Sequence, residues 1–455
     1  MKFTRKRLQV MTKESIFDDL VYGSYWNALP YLKGLDSATR DITLTSELLK
    51  QLGNPYGRWP AVTVAGSKGK GSTAVLIAKL LNLAGERVGL ITSPHLRRFN
   101  ERIRVNGRCA SDGELDDAAA AVAPFVRKIE EELEPMRYLG PGGIILALAA
   151  HVFAANNVTS IVVEAGRGGE FDEAKCIRAN VSVFTPVMLE HADKLGNTVQ
   201  EIAFTKARIT TPGAPLVTSP QYPEVLEVFT EVAEELGSRL LRSDIEVKIK
   251  SKIKGWKSIC DLELGGKRYH DIELSLAGSH QTENLATAFV GAAELLKSAG
   301  RQMTGISSDS LATLRWPGRA QILQDQPLVL LDGAINAASA RYLCELARQH
   351  KPKSFSAVIA VPAPKDLAGV CEEVAKITDY AVLTEVETPS LHWYQNALTI
   401  ARKFIGESEF IADYNQAIDR ALERSGPGDC VLLIGTQSFV GVVLDRWNIE
   451  TCVLW

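Results

Sequence analysis

A glycine-rich segment has the residue types and the spacing of a loop that binds phosphate groups. Residues 66–72 read Gly-Ser-Lys-Gly-Lys-Gly-Ser, between the apolar run Ala61–Ala65 and a segment with helical spacing. Glycines let the backbone turn with its N–H groups inward, the helix adds the positive end of its dipole, and a lysine and a hydroxyl can contact phosphate and Mg2+. The segment predicts a nucleoside triphosphate site, although Gly71 separates Lys70 from the hydroxyl of Ser72, unlike the common GxxxxGK[ST] motif; an ordinary glycine-rich turn is the alternative. The candidate phosphate ligands are Gly66, Ser67, Lys68, Gly69, Lys70, Gly71, Ser72 and Thr73.

Further polar residues follow other predicted strands, at the edge where open α/β sheets place their ligands. Glu164 ends the apolar run Ile161–Glu164, and His191 and Lys206 come after the run Val181–Thr185. Alone, a histidine after a strand is more often structural than catalytic, and Glu164 can equally cap the glycine-rich turn that follows it. Oxygen donors and an imidazole beside a phosphate loop can bind a magnesium ion. Together these residues predict a phosphoryl-transfer site.

The elements that must position these residues alternate between strand-like and helical patterns, which predicts a parallel sheet flanked by helices. A different pattern covers Lys248–Leu276, where polar and apolar residues alternate around a Gly-Gly turn, as is typical of an antiparallel hairpin or meander. A looser stretch follows the helical pattern of Gln281–Ser298, and the strand–helix alternation then restarts. We therefore predict two α/β domains, residues 1–300 and residues 301–455. The predicted strands are Val62–Ala65, Val88–Thr92, Ile161–Glu164, Val181–Thr185 and Pro215–Thr218 in the first domain, and Leu328–Leu331, Ser356–Ala360, Tyr380–Leu383 and Cys430–Ile434 in the second.

The composition is that of an ordinary globular protein. The 455 residues are 46% hydrophobic and 23% charged, with a formal net charge of −3, whereas a dedicated nucleic-acid-binding protein would carry a basic excess. Seven cysteines without a CxxC pair indicate neither a disulfide framework nor a zinc site. The longest apolar run, residues 142–155, is too short to span a membrane, and no apolar signal-peptide core follows the basic N-terminus. We expect a cytoplasmic enzyme without nucleic-acid or membrane partners.

The order of these motifs resembles the folylpolyglutamate synthase and dihydrofolate synthase family, a branch of the Mur ligase superfamily. The resemblance extends from Leu52-Gly-Asn-Pro55 to Gly435, and it rests on the phosphate loop, on an intact TSPHL…NERI segment and on five further motifs. In chain order, these segments are Ala65–Thr73, Thr92–Ile103, Glu164–Asp172, Leu189–Ile209, Gly278–Asn284, Pro317–Arg319 and Asp332–Asn336. The implied fold is a Mur-ligase-like large domain that contains the phosphate loop, followed by a smaller Rossmann-like C-terminal α/β domain.

The resemblance also implies an activity. Such enzymes bind MgATP between the two domains, convert the carboxylate of an acceptor into an acyl phosphate, and let the amine of an amino acid displace phosphate to form an amide. By this resemblance Lys70, Lys206 and His191 are catalytic, and Lys206 aligns with a family lysine that is carbamylated. The implied ligands are Ser72, Glu164, His191 and Lys206 for Mg2+, and Asn284, Arg319 and Asp332 for ATP. A small-molecule carboxylate and an amino acid are the expected partners, and a monomer is the expected state.

Four positions depart from the family pattern. Lys68 replaces an asparagine in the phosphate loop, and Gly143 stands where the family often has a glutamate that helps to bind magnesium. Arg208 replaces the glycine of the family's EKAG motif, which predicts a cation beside the critical lysine. Ile335 replaces a histidine that faces the incoming glutamate, although Thr436 keeps the hydroxyl of a nearby family serine.

These departures lie mainly at the pocket for the amino donor, while the phosphate loop is whole. An isoleucine at position 335 would leave a charged group of the donor unpaired, at a cost of roughly 1–3 kcal/mol. We therefore expect an ATP-dependent amide ligase whose substrates differ from folate and glutamate. The alternatives are a genuine folylpolyglutamate or dihydrofolate synthase and a nucleotide-binding relative without catalytic activity; a nucleotidase or kinase would leave the motifs of the second domain unexplained.

Overall fold

The computed structural model describes residues 13–134, 136–363, 365–388 and 391–455. The strands are β1 (Ala61–Ala65), β2 (Val88–Ile91), β3 (Ile103–Val105), β4 (Arg108–Cys109), β5 (Ser160–Glu164), β6 (Val181–Phe184), β7 (Leu216–Thr218), β8 (Leu240–Arg242), β9 (Val247–Lys254), β10 (Lys257–Leu264), β11 (Lys267–Leu274), β12 (Gln321–Asp325), β13 (Leu328–Asp332), β14 (Phe355–Ala360), β15 (Tyr380–Leu383), β16 (Glu407–Phe410) and β17 (Cys430–Gly435).

The α-helices lie before the first of these strands, between them and after the last. They are α1 (Lys13–Ala28), α2 (Asp36–Thr39), α3 (Thr43–Gln51), α4 (Lys70–Leu83), α5 (Asp112–Glu131), α6 (Pro141–Ala155), α7 (Ala192–Leu195), α8 (Val199–Ala207), α9 (Pro223–Glu235), α10 (Ser243–Glu246), α11 (Ser279–Ser298), α12 (Ala337–Gln349), α13 (Leu367–Ala375), α14 (Ala397–Ala401), α15 (Tyr414–Glu423) and α16 (Gln437–Arg446). The predicted α/β class is therefore confirmed. No helix in the described part of the chain combines the length and the apolar character that a membrane span requires.

The larger sheet has eight strands in the order β4-β3-β2-β5-β1-β6-β7-β8. The six strands from β2 to β8 in this order pair in parallel, and β3 and β4 add an antiparallel edge. All five residues of β1 are buried, because helices cover both faces: Val62 and Val64 pack with α4 and α11, while Ala61 and Ala65 face α6. The carboxyl ends of β1, β5 and β6 consequently lie side by side, and the predicted chemistry follows these three ends.

The smaller sheet has six strands in the order β12-β13-β17-β14-β15-β16. Only β12 is antiparallel to its neighbour, and apolar residues are buried on both faces of the sheet. The domain boundary near residue 300 stays a prediction; Met303, Leu311 and Leu314, which follow it, are buried in the same core as α4 and α11. The lysine-rich segment forms a three-stranded antiparallel sheet, β11-β10-β9, as the alternating pattern predicted; its Trp256 stacks on His350 of the C-terminal part, with 3.5 Å between ring centroids.

The last residues of the chain return to the larger sheet, which the sequence did not predict. The backbone N–H of Leu454 donates to Gly107 O at 2.9 Å, and Leu454 O accepts from the N–H of Arg315 at 2.7 Å. Leu454 is fully buried among residues of the large domain, and the ring of Trp455 covers Gly107. The chain therefore passes between the two sheets twice, once before β12 and once after α16.

Candidate active site

The phosphate loop joins the end of β1 to the start of α4, and its glycines are required by the backbone. Gly66 has φ +132°, and a Cβ there would lie 2.7 Å from the carbonyl oxygen of Thr185 at the end of β6. Gly69 has φ +89°, and its Cβ would lie 2.6 Å from Oδ1 of Asn284. Both conformations disfavour residues with side chains. The loop is thus fixed between the neighbouring strand end and α11. Gly71 and Glu164 line one side of a cleft, and Arg319 and Gln437 of the C-terminal part line the other.

The first turn of α4 holds the hydroxyls that the loop motif predicted. Ser72 and Thr73 are buried, and the Oγ1 of Thr73 has no hydrogen-bond partner among the described residues. A buried hydroxyl without a partner costs free energy unless a ligand or water satisfies it. This turn therefore fits a phosphate group with its counter-ion.

Two lysines share one carbonyl of the phosphate loop. Lys70 donates from Nζ to Gly66 O at 3.1 Å, and the fully buried Lys206 donates to the same oxygen at 3.0 Å. Lys206 also donates to Arg167 O at 2.6 Å and lies 3.6 Å from Oε1 of Glu190. Burial and the charge of Lys70 lower the pKa of Lys206 to about 8, against the opposing effect of Glu190. A sizeable fraction of the Lys206 amine is consequently neutral near physiological pH.

Glu190 is the carboxylate at the centre of this group of cations. Burial raises its pKa, but the charges of Lys206, Lys70 and Lys68 outweigh burial and hold the pKa below its usual value. The neighbouring His191 adopts φ +51° at the start of α7. Burial lowers the pKa of His191, although Glu190 favours its protonation. The imidazole is therefore neutral at neutral pH, the form in which it can bind a metal.

Glu164 brings a second carboxylate to the loop from the end of β5. Its Oε2 accepts a hydrogen bond from the N–H of Ser93 at 2.9 Å, and a Cβ on Gly71 would lie 3.5 Å from its Oε1. Burial raises the pKa of Glu164 despite the charges of Lys70, Arg319 and Arg102. A bound cation would stabilise the ionised form of this buried carboxylate.

The donor set around the loop suits magnesium. In the residues that the structure describes, no three His, Cys, Asp or Glu side chains converge as a complete metal site. Mg2+ normally keeps several waters and shares phosphate oxygens, so that few protein ligands are needed. The hydroxyl of Ser72, the carboxylate of Glu164 and the neutral imidazole of His191 stay the predicted ligands. Lys206 is an amine in this structure and cannot bind a cation in that form.

The remaining predicted nucleotide ligands lie on both sides of the cleft. Asn284 is buried on α11, where its Nδ2 donates to Gln281 Oε1 at 3.1 Å and its Oδ1 faces Gly69. Across the cleft, Asp332 ends β13 and accepts from the N–H of Ala320 at 2.7 Å. Burial raises the pKa of Asp332, opposed by the charge of Arg319. Arg319 lines the same cleft as Gly71 and Glu164, so it faces the phosphate loop from the C-terminal side.

Comparisons with known proteins agree with this arrangement. A family model described as Mur ligase, glutamate ligase domain, matches residues 318–437. The folylpolyglutamate synthase of Lacticaseibacillus casei is 32% identical over 353 residues, which cover 77% of this chain and 81% of that protein. The dihydrofolate synthase/folylpolyglutamate synthase of Bacillus subtilis is 30% identical over 88% of this chain and 93% of its own length. The chain belongs to the folylpolyglutamate synthase and dihydrofolate synthase family.

A solved structure supports the same assignment. The folylpolyglutamate synthase of Mycobacterium tuberculosis complexed with ADP has a TM-score of 0.85 and 26% sequence identity, over 95% of this chain and 99% of that chain. This protein is accordingly an ATP-dependent ligase that forms a C–N bond and releases ADP. The predicted use of ATP and Mg2+ is confirmed for this ligase class, while the roles of single residues remain predictions.

Two departures from the family pattern have a structural explanation. Gly143 is buried, and a Cβ there would lie 2.9 Å from Cγ2 of Thr45 and closer still to its Oγ1, so a glutamate does not fit. Arg208 does not act as a cation beside Lys206, contrary to the expectation. Its guanidinium pairs instead with Glu235, at 2.8 Å between Nη1 and Oε1, and with Glu170, at 3.4 Å between Nε and Oε1. These surface carboxylates hold its charge away from the buried lysine.

The turn at Ile335, which the family resemblance predicts to face the amino donor, is anchored by its backbone. The N–H of Ile335 donates to Ser339 Oγ at 3.3 Å, and Ile335 O accepts from the N–H of Asp366 at 3.2 Å. The carboxylate of Asp366 accepts from the N–H of Ala337 at 3.1 Å and from that of Gly369 at 2.9 Å, which ties the starts of α12 and α13 together. The side chain of Ile335 is half-buried and takes no part in these bonds.

One residue of the site was not predicted from the sequence, and a second was known only as part of a motif. Trp316 lies against the phosphate loop, where a Cβ on Gly71 would be 2.7 Å from its Cζ2. Glu101 accepts from the N–H groups of Leu96, Arg97 and Arg98 and so shapes the segment beside Glu164. The tryptophan directly before the Pro-Gly-Arg motif was an available signal for the first contact. Glu101 lies within the TSPHL…NERI segment that the sequence singled out, but its hydrogen bonds to the backbone of residues 96–98 were not predicted.

Proposed function

We propose that this protein is a folylpolyglutamate synthase, which joins the amine of glutamate to a carboxylate of a folate-type acceptor. The single observation that carries the proposal is that Lys70 and Lys206 both donate to Gly66 O. The buried lysine thereby lies against the phosphate loop, where ATP and Mg2+ would bind. The relatives named above are folylpolyglutamate and dihydrofolate synthases, and they favour this assignment over the expected non-folate substrates.

The replacement of histidine by Ile335 is compatible with this proposal. The turn that carries Ile335 is held by its backbone and by Asp366, so the pocket can keep its shape when the side chain changes. The substitution then alters the affinity for the amino donor rather than the reaction. The expectation of a different substrate pair therefore has no support beyond that one side chain.

The chemistry proceeds in two displacements. An oxygen of the acceptor carboxylate attacks the γ-phosphorus of ATP, the bond to the β–γ bridging oxygen breaks, and ADP leaves. The glutamate amine then attacks the acyl carbon, the acyl–oxygen bond breaks, phosphate leaves, and the nitrogen loses a proton. Lys70 and the N–H groups of residues 66–72 neutralise charge on the β- and γ-phosphates, and Arg319 approaches them from the other side of the cleft.

Ser72, Glu164 and His191 would hold Mg2+, which supplies further neutralisation of phosphate charge when bound. Lys206 can become a further Mg2+ ligand only after its amine is chemically modified. Its neutral amine can add carbon dioxide and lose a proton, which gives a carbamate with oxygen ligands in place of an ammonium. The lowered pKa of Lys206 favours that reaction, because only the neutral amine is nucleophilic.

The test is ATP-dependent transfer of glutamate to tetrahydrofolate, followed by mass spectrometry of the product and by release of phosphate. We expect the mass to increase by one glutamyl residue and phosphate to form in equal amount. The Lys70→Ala variant should lose this activity by on the order of 10³-fold. Lys50→Ala, which removes an exposed lysine of α3, is the matched control and should keep it.

A panel of other pairs separates the alternatives. Dihydropteroate with glutamate tests for dihydrofolate synthase activity, and other carboxylates and amino acids test for different substrates. Preference for a non-folate pair by a wide margin would overturn the proposal. Bound nucleotide without turnover of any pair would identify an inactive relative instead.

A further inference from the structure

A short segment ahead of the phosphate loop, Gly34–Arg40, contacts two loops of the active site; we call it the clasp. Gly34 O accepts from Nζ of Lys194, which lies in α7 directly after His191, at 3.2 Å. Asp36 accepts two hydrogen bonds from Arg167, at 2.9 Å from Nε and at 2.7 Å from Nη2. The clasp thus links the loop that follows β6 to the loop that follows β5.

The clasp contains buried charged groups, whose removal from water costs free energy. Asp36 is only 1% exposed. Arg40 pairs with Glu173 and lies 3.5 Å from Asp36 and 3.8 Å from Asp172. Burial opposes the charge of Arg40, but these carboxylates outweigh it and raise the pKa of the guanidinium. Apolar residues of similar size commonly stabilise a fold at least as well as buried ion pairs do, so stability alone does not account for this network.

The network has a direct connection to the buried lysine of the site. Arg167, whose guanidinium is held by Asp36, uses its own carbonyl oxygen to accept from Nζ of Lys206 at 2.6 Å. Asp172, beside Arg40, accepts from the N–H of Gly168 at 2.9 Å and fixes the next residue of the same loop. A shift of this loop would move one of the two carbonyl groups that hold Lys206.

We propose that Asp36, acting through Arg167, is a positioning residue for Lys206, and that the clasp sets the spacing between Lys206 and His191. The inference rests on the proposed function, because it assigns to both residues a part in binding magnesium with ATP. Asp36 itself contacts neither lysine nor histidine of the site, so its effect is indirect. Bidentate pairing between an arginine and a carboxylate gives the geometric control that such a role requires.

The test compares Asp36→Asn, Arg167→Gln and the double variant with wild-type enzyme. We expect each single substitution to lower kcat by about 10- to 100-fold and to raise the Mg2+ concentration needed for half-maximal rate, as is usual for residues that orient metal ligands. The double variant should be about as impaired as either single one, because both substitutions break the same link. Arg167→Gln is the safer variant, since the Arg167 side chain is one-third exposed.

A matched ion pair in the C-terminal sheet region provides the control. Arg341 donates from Nε and Nη2 to Oε1 of the buried Glu373, at 3.1 and 2.8 Å. Arg341→Gln removes the same kind of bond between α12 and α13, outside the clasp. We expect it to lower the midpoint of urea unfolding to a degree comparable to that of Arg167→Gln but to leave kcat and the Mg2+ dependence unchanged.

A second measurement needs no turnover and so separates this inference from the proposed function. The affinity for the ATP analogue AMPPCP is measured by calorimetry with and without Mg2+, and the ratio of the two constants reports metal binding in the site. We expect the ratio to fall by about tenfold or more in Asp36→Asn and Arg167→Gln. If kcat, the Mg2+ dependence and this ratio all stay within twofold of wild type while stability falls, the clasp is structural and the inference is wrong. Failure of wild-type turnover with folate would contradict only the proposed substrates.

Discussion

The phosphate side and the amino-donor side of the cleft are built in different ways. On the phosphate side, Gly66 and Gly69 adopt positive φ and press against Thr185 and Asn284, so the backbone itself forms the binding surface. On the donor side, Asp366 fixes a turn from which the half-buried side chain of Ile335 projects. The first surface tolerates no added atoms, whereas the second can exchange a side chain. This difference explains how the ligase can keep its phosphate loop whole while its donor pocket departs from the family pattern.

Gly66→Ala should have the largest effect. The new Cβ would collide with Thr185 in a backbone conformation that alanine disfavours, and we expect a loss of about 3 kcal/mol or more in the free energy of unfolding, with no detectable activity. Urea unfolding and ATP turnover check this. Gly113→Ala is the control, since nothing lies within 4 Å of its Cβ position in α5 and it should leave stability unchanged or raise it by up to about 1 kcal/mol. A stable, active Gly66→Ala enzyme would refute the backbone account of the phosphate side.

The contact between α11 and α12, which joins the phosphate side to the donor side, should lose stability in acid. His280 begins α11 and packs on Tyr342 of α12, with 4.9 Å between ring centroids. Burial, together with the charge of Arg319, lowers the pKa of His280 to about 4. In the unfolded chain this histidine takes up its proton near pH 6.5. The contribution of the neutral His280 to the free energy of unfolding is therefore complete above pH 6.5. It falls by at most about 3 kcal/mol as the pH drops to about 4.

Urea midpoints measured from pH 7.5 to pH 4.5 test this, with His280→Gln as the comparison. The difference between variant and wild type isolates His280 from other groups that titrate in the same range. We expect the wild-type midpoint to fall more steeply with acid than that of His280→Gln. Parallel slopes would show that this histidine is not buried in its neutral form.

Asp366→Ala should loosen the donor side without affecting the phosphate side. The substitution leaves the N–H groups of Ala337 and Gly369 without their acceptor, at a cost of about 1–2 kcal/mol, and it should raise KM for glutamate more than KM for ATP. Asp413→Ala removes a comparable cap, the bond from the N–H of Gln416 at the start of α15. This control should lose similar stability with both KM values unchanged. If Asp366→Ala raised KM for glutamate and KM for ATP equally, the donor side and the phosphate side would not be independent of each other.

Ile335→His should have the smallest effect. The turn is anchored by its backbone, so the imidazole can enter without refolding, and one added hydrogen bond to a charged donor group would lower KM for glutamate by about tenfold. Steady-state kinetics with glutamate varied at saturating ATP measure this. A change in kcat of more than about tenfold would mean that position 335 takes part in the reaction and not only in binding the donor.

The phosphate side could be predicted from the sequence because its determinants are local. Three glycines, two lysines and the following helix lie within one segment, and the flanking strands were found to within one residue of β1 and β6. The short antiparallel strands β3 and β4 were missed, since two or three residues carry no periodicity. The antiparallel pairing of the lysine-rich segment was predicted, as a hairpin or meander, because its polar and apolar residues alternate around a Gly-Gly turn.

Contacts between distant parts of the chain could not be predicted. Asp36 and Arg167 are 131 positions apart, and Gly107 and Leu454 are connected only through the return of the chain after α16. Nothing in the local pattern of either segment indicates its partner. The expected effect of Arg208 was wrong for the same reason, because its partner Glu235 is distant in the sequence. The contact of Thr45 with Gly143 could likewise not be foreseen.

The fate of the acceptor's carboxylate oxygen shows most directly whether this cleft forms an amide through an acyl phosphate. Tetrahydrofolate labelled with 18O in its γ-carboxylate is incubated with enzyme, ATP, Mg2+ and glutamate, and the phosphate released is analysed by mass spectrometry. If an acyl phosphate forms, we expect one 18O atom in each phosphate, because the carboxylate oxygen that attacks the γ-phosphorus leaves with the phosphate. Unlabelled phosphate would mean that water is the attacking group and that ATP hydrolysis is not coupled to ligation.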